Sequence, residues 1–356
     1  MGAESPYKAE DYTVGWICAL PVELAASAEV LDIEHPPLPH EPKDSNSYTL
    51  GSIAGHNIVI GCLPFGQIGL VSAASVATQM KLRFPSIRFG LMVGIGGGVP
   101  NENADIRLGD VVISLPSGQY GGVVQYDMGK ILTEGQSIRT GSLNAPPQIL
   151  LTALAAVEAA RLRERFNLKG TLSSLEARLS KFAYPQKLQD RLYKSTYAHI
   201  GRATCAQCSE DQLEDRPDRD DSDVAIHYGT IASGNQVIKD GVQRDRLSSE
   251  LGGVLCFEME AAGLMNNFPC VVIRGICDYA DSHKNKGWQP YATATAAAFA
   301  KGLLELIPAT EVVKEPTIEQ TMKGLKSMVA NTTELSQRIE EKISSMCHCR
   351  SLEDSI

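Results

Sequence analysis

The chain has 356 residues, 43% of them hydrophobic and 21% charged, with a formal net charge of −9. This composition suits one large globular domain or two small ones. The acidic balance argues against nucleic-acid binding through a general basic surface, and no apolar run reaches the ~18 residues that a membrane span needs.

Residues 1–11 are polar and predict a flexible N-terminus without a secretory signal; Pro6 stands where a myristoylation signal requires Ser or Thr. Residues 13–20 (TVGWICAL) form an apolar run that reads as a buried strand, and Pro21 directly after it starts a helix through VELAASAEVL. Residues 47–53 and 57–63 read as a hairpin around Ala54-Gly55-His56, and residues 69–82, rich in Ala, Ser and Val, as a helix. Residues 89–93 predict a strand running into Gly94-Ile95-Gly96-Gly97-Gly98-Val99. Residues 110–115 predict another strand, and 146–166 a helix.

Residues 172–224 differ in composition. They are polar, carry Cys205-Ala-Gln-Cys208 and end in the charge run EDRPDRDDSD, which predicts an insertion in the core. Strands return at 225–233, 254–259 and 270–277, with a helix between the last two, followed by an Ala-rich helix over 288–307. Met322, Leu325, Met328, Val329 and Leu335 recur at near-heptad spacing and predict a helical extension over 310–356. Strands alternating with helices over about 300 residues imply an α/β class protein. The expected architecture is a single-domain three-layer α/β/α sandwich with a central mixed sheet over 12–309. Of nine cysteines, Cys18, Cys62, Cys256, Cys270 and Cys277 lie in apolar runs, where cysteine acts as a small hydrophobe. A reduced, cytoplasmic setting is the default expectation.

The densest chemistry lies in Phe257–Asp281, FEMEAAGLMNNFPCVVIRGICDYAD. Glu258 and Glu260 sit in a small, apolar segment, and Asp278 ends a buried strand, where open α/β sheets place their chemistry. Burying several carboxylates together is costly unless they are paired or in use. They are therefore either an active site or capping and salt-bridging groups. Glu23 divides the same way: a first-turn acid favoured by the helix dipole, or a catalytic acid at a strand end. The GIGGGV run has Val99 where a dinucleotide-binding turn needs glycine, so only close backbone approach to a ligand survives. Cys205 and Cys208 with nearby His199 fall short of the four ligands of a structural zinc site, and no metal or other cofactor is expected. The loop after Asp278 carries His283, Lys284 and Lys286; with Lys239 and Arg244 it is either a solvated surface or a set of cations meeting an anionic group on a substrate.

Four segments in order, ALPVEL, VGIGGGV, IASGNQVI and FEMEAA with RGICDYAD, resemble the nucleoside phosphorylase/nucleosidase superfamily over roughly Tyr12 to Pro308. Members include purine nucleoside phosphorylases and bacterial methylthioadenosine/S-adenosylhomocysteine nucleosidases. IHYGTIASGNQV and DYADSHKNKGWQPYA look more like a fungal subgroup whose domain often stands at the N-terminus of NOD-like receptor proteins. The resemblance implies that Glu23 activates the attacking water, Glu260 grips the ribose hydroxyls, Met259 packs beneath the sugar and Asp278 meets purine N7. It implies base contacts at Val237, with Ser233, Gly234, Gly96 and Gly97 shaping the wall, and a homo-oligomer acting on a small-molecule purine nucleoside or nucleotide. Glu258 and Asp281 are expected to be structural.

Breaking an N-glycosidic bond builds positive charge on the sugar and negative charge on the base, so the chemistry needs an acid at the base and a carboxylate for the water. Burial is expected to keep Asp278 protonated while Glu23 stays ionised. Related phosphorylases hold phosphate with an arginine before the VG turn and a Ser or Thr after it; here those positions are Met92 and Ile95. Hydrolysis of adenine nucleosides or nucleotides (adenosine, AMP, ATP) is the expectation. A phosphate-dependent phosphorylase and a silent nucleotide-sensing module are the alternatives.

Overall fold

A computed structural model describes residues 5–131, 133, 137–201, 204–219, 224–324, 327 and 337–338. Leu325, Met328, Val329 and Leu335 of the near-heptad pattern lie outside the described residues.

In chain order the first half runs β1 (Val14–Cys18), α1 (Pro21–Glu29), β2 (Ile33–His35), β3 (Tyr48–Ile53), β4 (His56–Cys62), α2 (Leu70–Arg83), β5 (Phe89–Gly98), β6 (Val111–Ser114), β7 (Val123–Gln125), β8 (Gly129–Ile131), β9 (Ser137–Arg139) and α3 (Gln148–Leu162). The second half runs α4 (Leu168–Arg178), β10 (Ile226–Gly229), β11 (Ile231–Ser233), α5 (Gly241–Glu250), β12 (Cys256–Glu258), β13 (Cys270–Asp278), α6 (Gln289–Glu305) and α7 (Ala309–Val312). Residues 318–324 are helical beyond α7. No helix among the described residues is long and apolar enough to cross a membrane.

The central sheet is mixed, in the order β10-β6-β13-β5-β1-β4-β3-β2. β1 pairs parallel with β4 and β5, and β13 pairs parallel with β5 but antiparallel with β6. Both faces are covered, which is why these strands read as continuous apolar runs. Trp16, Phe89, Leu91, Val271 and Ile273 pack toward α1, α3, α4 and α6. Ile17, Val59, Met92 and Val272 pack toward α2 and Phe268.

β5 is longer than its apolar core predicts. It continues through the glycine run to Gly98, because that stretch keeps β13 on one side and gains β12, antiparallel, on the other. Past Met92 it has parted from β1, whose last pairing is Ile17 with Met92. From there a second branch, β12-β11-β7, leaves the sheet. A crevice opens where the branches diverge, outside the carboxyl ends of parallel strands.

Three expectations change in detail. The helix expected between β12 and β13 is a short 3-10 turn, Ala261–Gly263; α2 lies so close that a Cβ on Gly263 would stand 2.2 Å from the Leu70 carbonyl. The strand expected over 225–233 is two strands with different partners, β10 on β6 and β11 on β12 and β7. The excursion expected from Leu172 begins inside α4, where Leu172 and Leu175 are buried in the core, so the irregular part starts after Arg178.

Candidate active site

Glu23 stands at the third position of α1, and its carboxylate is buried. Oε2 accepts hydrogen bonds from Ala19 N (2.6 Å) and Leu20 N (2.9 Å), so it closes the first turn of the helix as an N-terminal acid does. Oε1 accepts from Ile95 N on β5 at 2.9 Å. The helix-start reading of this residue is thus realised, and the same carboxylate also reaches the end of β5. Its seat exists because Gly94 has no side chain: a Cβ there would lie 2.4 Å from Glu23 Oε1 and 2.6 Å from Arg274 Nη1. Burial pushes the Glu23 pKa up, against the pull of Arg274 and the three amides.

Arg274 is the residue that sequence reasoning passed over. It lies mid-strand in β13, fully buried, with its guanidinium bonded to Glu258 and 3.4 Å from Glu260 Oε2. Three neighbouring carboxylates outweigh the cost of its burial and hold its pKa above the ordinary arginine value. Glu258 also accepts from the amides of Glu260 and Ala261, so it anchors the loop that presents Glu260. Glu260 Oε1 accepts from Gly69 N at 3.2 Å. Burial, opposed by Arg274 and reinforced by Glu258 and Glu23, pushes the Glu260 carboxyl up to about 7. A lone arginine in an apolar run followed by acids was the available signal, since a charge in such a strand requires a buried counter-charge.

Asp278 ends β13 after a register shift that follows Ile276. It is only partly buried. Oδ1 accepts from Ala280 N at 2.8 Å and pairs with Lys284 Nζ at 2.8 Å. The sealed, isolated acid expected from sequence is instead a carboxylate–ammonium pair at a loop. Gly97 makes room for it: a Cβ there would be 2.8 Å from Asp278 Oδ1.

Glu23, Glu260, Met259, Asp278, Lys284, Val237, Gly96 and Gly97 line one cavity of about 160 Å³ together with Phe257, Ile68 and Ile95. Phe257, a buried ring edge-on to Tyr126 at 5.5 Å, is a further apolar wall for a flat ring. Val237 is half exposed at the mouth. Ser233 is buried, and its hydroxyl accepts from Ala262 N. Gly234 lets Tyr126 approach, and Tyr126 donates to Gln236 O to fix the loop bearing Val237. Met92 is fully buried in the core, away from the cavity.

Of the five cations considered for a phosphate, Lys284 alone lines this cavity. Lys239 and Lys286 are exposed elsewhere. Arg244 is buried and spent on Asp245 and the Tyr279 carbonyl. His283 is buried between aromatic rings beside Asp281, whose carboxylate accepts from His283 N at 2.8 Å. The only group of metal-ligating side chains among the described residues, His199, Cys205 and Cys208, lies outside the cavity.

The profile of the phosphorylase superfamily matches residues 13–307. A nucleotide-binding leucine-rich repeat (NLR)-like protein of Hyaloscypha variabilis is 49% identical over 84% of this chain, which spans 30% of that relative's length. A 5'-methylthioadenosine/S-adenosylhomocysteine nucleosidase of Mycobacterium bovis is 26% identical over 83% of this chain and 97% of its own. The ATP nucleosidase Cap17 of Escherichia coli is 25% identical over 81% of this chain and 50% of its own. Among solved structures, futalosine hydrolase of Helicobacter pylori superposes with a TM-score of 0.54 at 18% identity, over 83% of this chain and 97% of its own.

Proposed function

The chain belongs to the phosphorylase superfamily, and from that premise we propose that it hydrolyses the N-glycosidic bond of a purine nucleoside or nucleotide, with adenine as the base released. In this reading Glu23 takes a proton from water as the water oxygen bonds to C1′ of the sugar. The C1′–N9 bond breaks, its electron pair passes to the base, and the Asp278–Lys284 pair supplies a proton at N7. Glu260 holds the ribose hydroxyls with Met259 beneath the sugar, and Phe257 and Val237 flank the base.

One observation carries hydrolysis over phosphorolysis. The amides of Ala19, Leu20 and Ile95 converge as an anion cradle would, and the Glu23 carboxylate already fills it. A phosphate there would meet a buried carboxylate and no free cation, since Arg274 is committed to Glu258 and Glu260. The relatives named as nucleosidases support the same chemistry. The name of Cap17 supports extension to ATP.

The NLR-like relative favours a second reading, in which the chain is the ligand-sensing part of a larger receptor. Exposed Phe65, Ile68 and Val71 form an apolar surface at the cavity's edge, in keeping with a homo-oligomer. The free cysteines are in keeping with a cytoplasmic protein.

The test is chromatographic detection of free base from adenosine, AMP, ADP and ATP, with and without phosphate. Base released without phosphate supports hydrolysis. Release only with phosphate establishes the phosphorylase, and no release the sensor. Equal or better turnover of adenosine overturns the nucleotide preference.

A further inference from the structure

The excursion after α4 has little regular structure. Between Tyr193 and Leu213, which form an isolated bridge, the described residues hold two 3-10 turns, Cys205–Gln207 and Glu210–Gln212. Such a loop buries little apolar surface and gains disproportionately from a cross-link. Within it, one ligand atom each from His199, Cys205 and Cys208 lies within 4.8 Å of the others, and both cysteines are free thiols. Bond lengths of about 2.0–2.3 Å at tetrahedral angles put zinc ligands about 3.4–3.8 Å apart, so small side-chain rotations close the set.

The second observation is His283. Its side chain is only 4% exposed, yet neither ring nitrogen has a hydrogen-bond partner. Leaving such groups unsatisfied costs about 1–3 kcal/mol in general. The ring lies edge-on to His199 with centroids 5.5 Å apart, and it shares one cavity with Cys205 and Thr204. Ligating histidines use an outer partner on their second nitrogen; His199 already has one, and His283 has a carboxylate within reach. His199 Nε2 lies 3.2 Å from the Thr204 carbonyl, which leaves Nδ1 to ligate. His283 Nδ1 faces Asp281 Oδ2 at 3.5 Å, which leaves Nε2.

We infer that His199, Cys205, Cys208 and His283 form a structural zinc site that pins the excursion to the loop following Asp278. Two thiolates and two imidazoles are a donor set suited to tetrahedral zinc. The two segments already touch, since His199 N donates to Ser282 Oγ at 2.9 Å. The metal would fix the residue before Lys284, and with it the ammonium that faces Asp278.

The experiment uses the whole chain, without a histidine tag, purified under reducing conditions. Metal analysis should find one zinc per chain. Cobalt(II) added to chelator-stripped protein should give a thiolate-to-cobalt charge-transfer band with the intense visible bands of a tetrahedral site. Cys208→Ser should abolish the charge-transfer signature of a two-thiolate site, and His283→Ala should weaken zinc binding about tenfold or more. The wild-type titration stands even where a variant fails to fold. Absence of both zinc and the cobalt band overturns the site, as does a Cys205–Cys208 disulfide in protein kept under reductant. Unchanged zinc affinity in His283→Ala removes His283 from it.

Discussion

The two ends of the cavity are built on different principles. At the end proposed to hold the sugar, Glu23, Glu258, Glu260 and Arg274 are all buried and are held by strands, a helix start and main-chain amides. At the end proposed to hold the base, Asp278 stands at the tip of β13, Lys284 and Val237 sit on loops, and all three are at least partly exposed. The first end is rigid because its charges have no water to fall back on. The second is more adjustable, because an ion pair that keeps some contact with water is cheaper to rearrange than a sealed one. Positions that organise buried charge are thus separated from the more exposed positions at the other end of the cavity.

Substitutions at each end sharpen this contrast. Glu23→Gln keeps the shape of the amide cradle's occupant and removes the proposed base; turnover should fall about 10²–10⁴-fold, while stability falls only by about 1–3 kcal/mol, the cost of a buried amide left facing the new NH2. Arg274→Met should act on folding instead, because it leaves Glu258 and Glu260 buried without a counter-charge. A loss of about 3–5 kcal/mol in denaturant unfolding is expected. Lys284→Met should reduce kcat about tenfold, less than loss of a direct acid or base, with unfolding unchanged. A stability loss there as large as at Arg274 would erase the distinction between the ends.

The smallest effect is a pH dependence. Burial raises the Glu260 carboxyl to about 7 and raises Glu23 in the same direction, from an ordinary 4.5. The folded chain therefore binds more protons than the unfolded chain in that window. The stability these groups confer is complete below about 4.5 and is lost as pH rises through about 7. Thermal melting of the unaltered chain should decline over that range relative to Glu260→Gln. Parallel profiles for the two proteins would contradict the burial argument.

Much of the fold was legible because strands covered on both faces must be almost wholly apolar, as residues 13–20 are and 270–277 are apart from Arg274. The ladder partners of the glycine run were not legible, since glycine carries no side-chain signal of what lies beside it. Carboxylates stood out at Glu23, Glu258, Glu260 and Asp278 because they interrupt apolar sequence. Their partners did not: Arg274 lies 14 residues from Glu260, and the Ile95 amide 72 residues from Glu23. Such pairings are set by sheet topology rather than by local pattern. The same limit applied to His199, Cys205 and Cys208, whose spacing says nothing about a histidine in another loop.

Glu260 has one more tenant. Its Oε1 receives the amide of Gly69, the residue that begins α2, and the next amide, Leu70 N, rests on Asn235 Oδ1 at 3.2 Å. The first turn of a 14-residue helix thus hangs from the carboxylate proposed to hold the sugar and from the loop proposed to hold the base. A sugar held by Glu260, as proposed, would draw on the first of those acceptors. Amide hydrogen exchange at Gly69, the residue that caps α2, should therefore report occupancy.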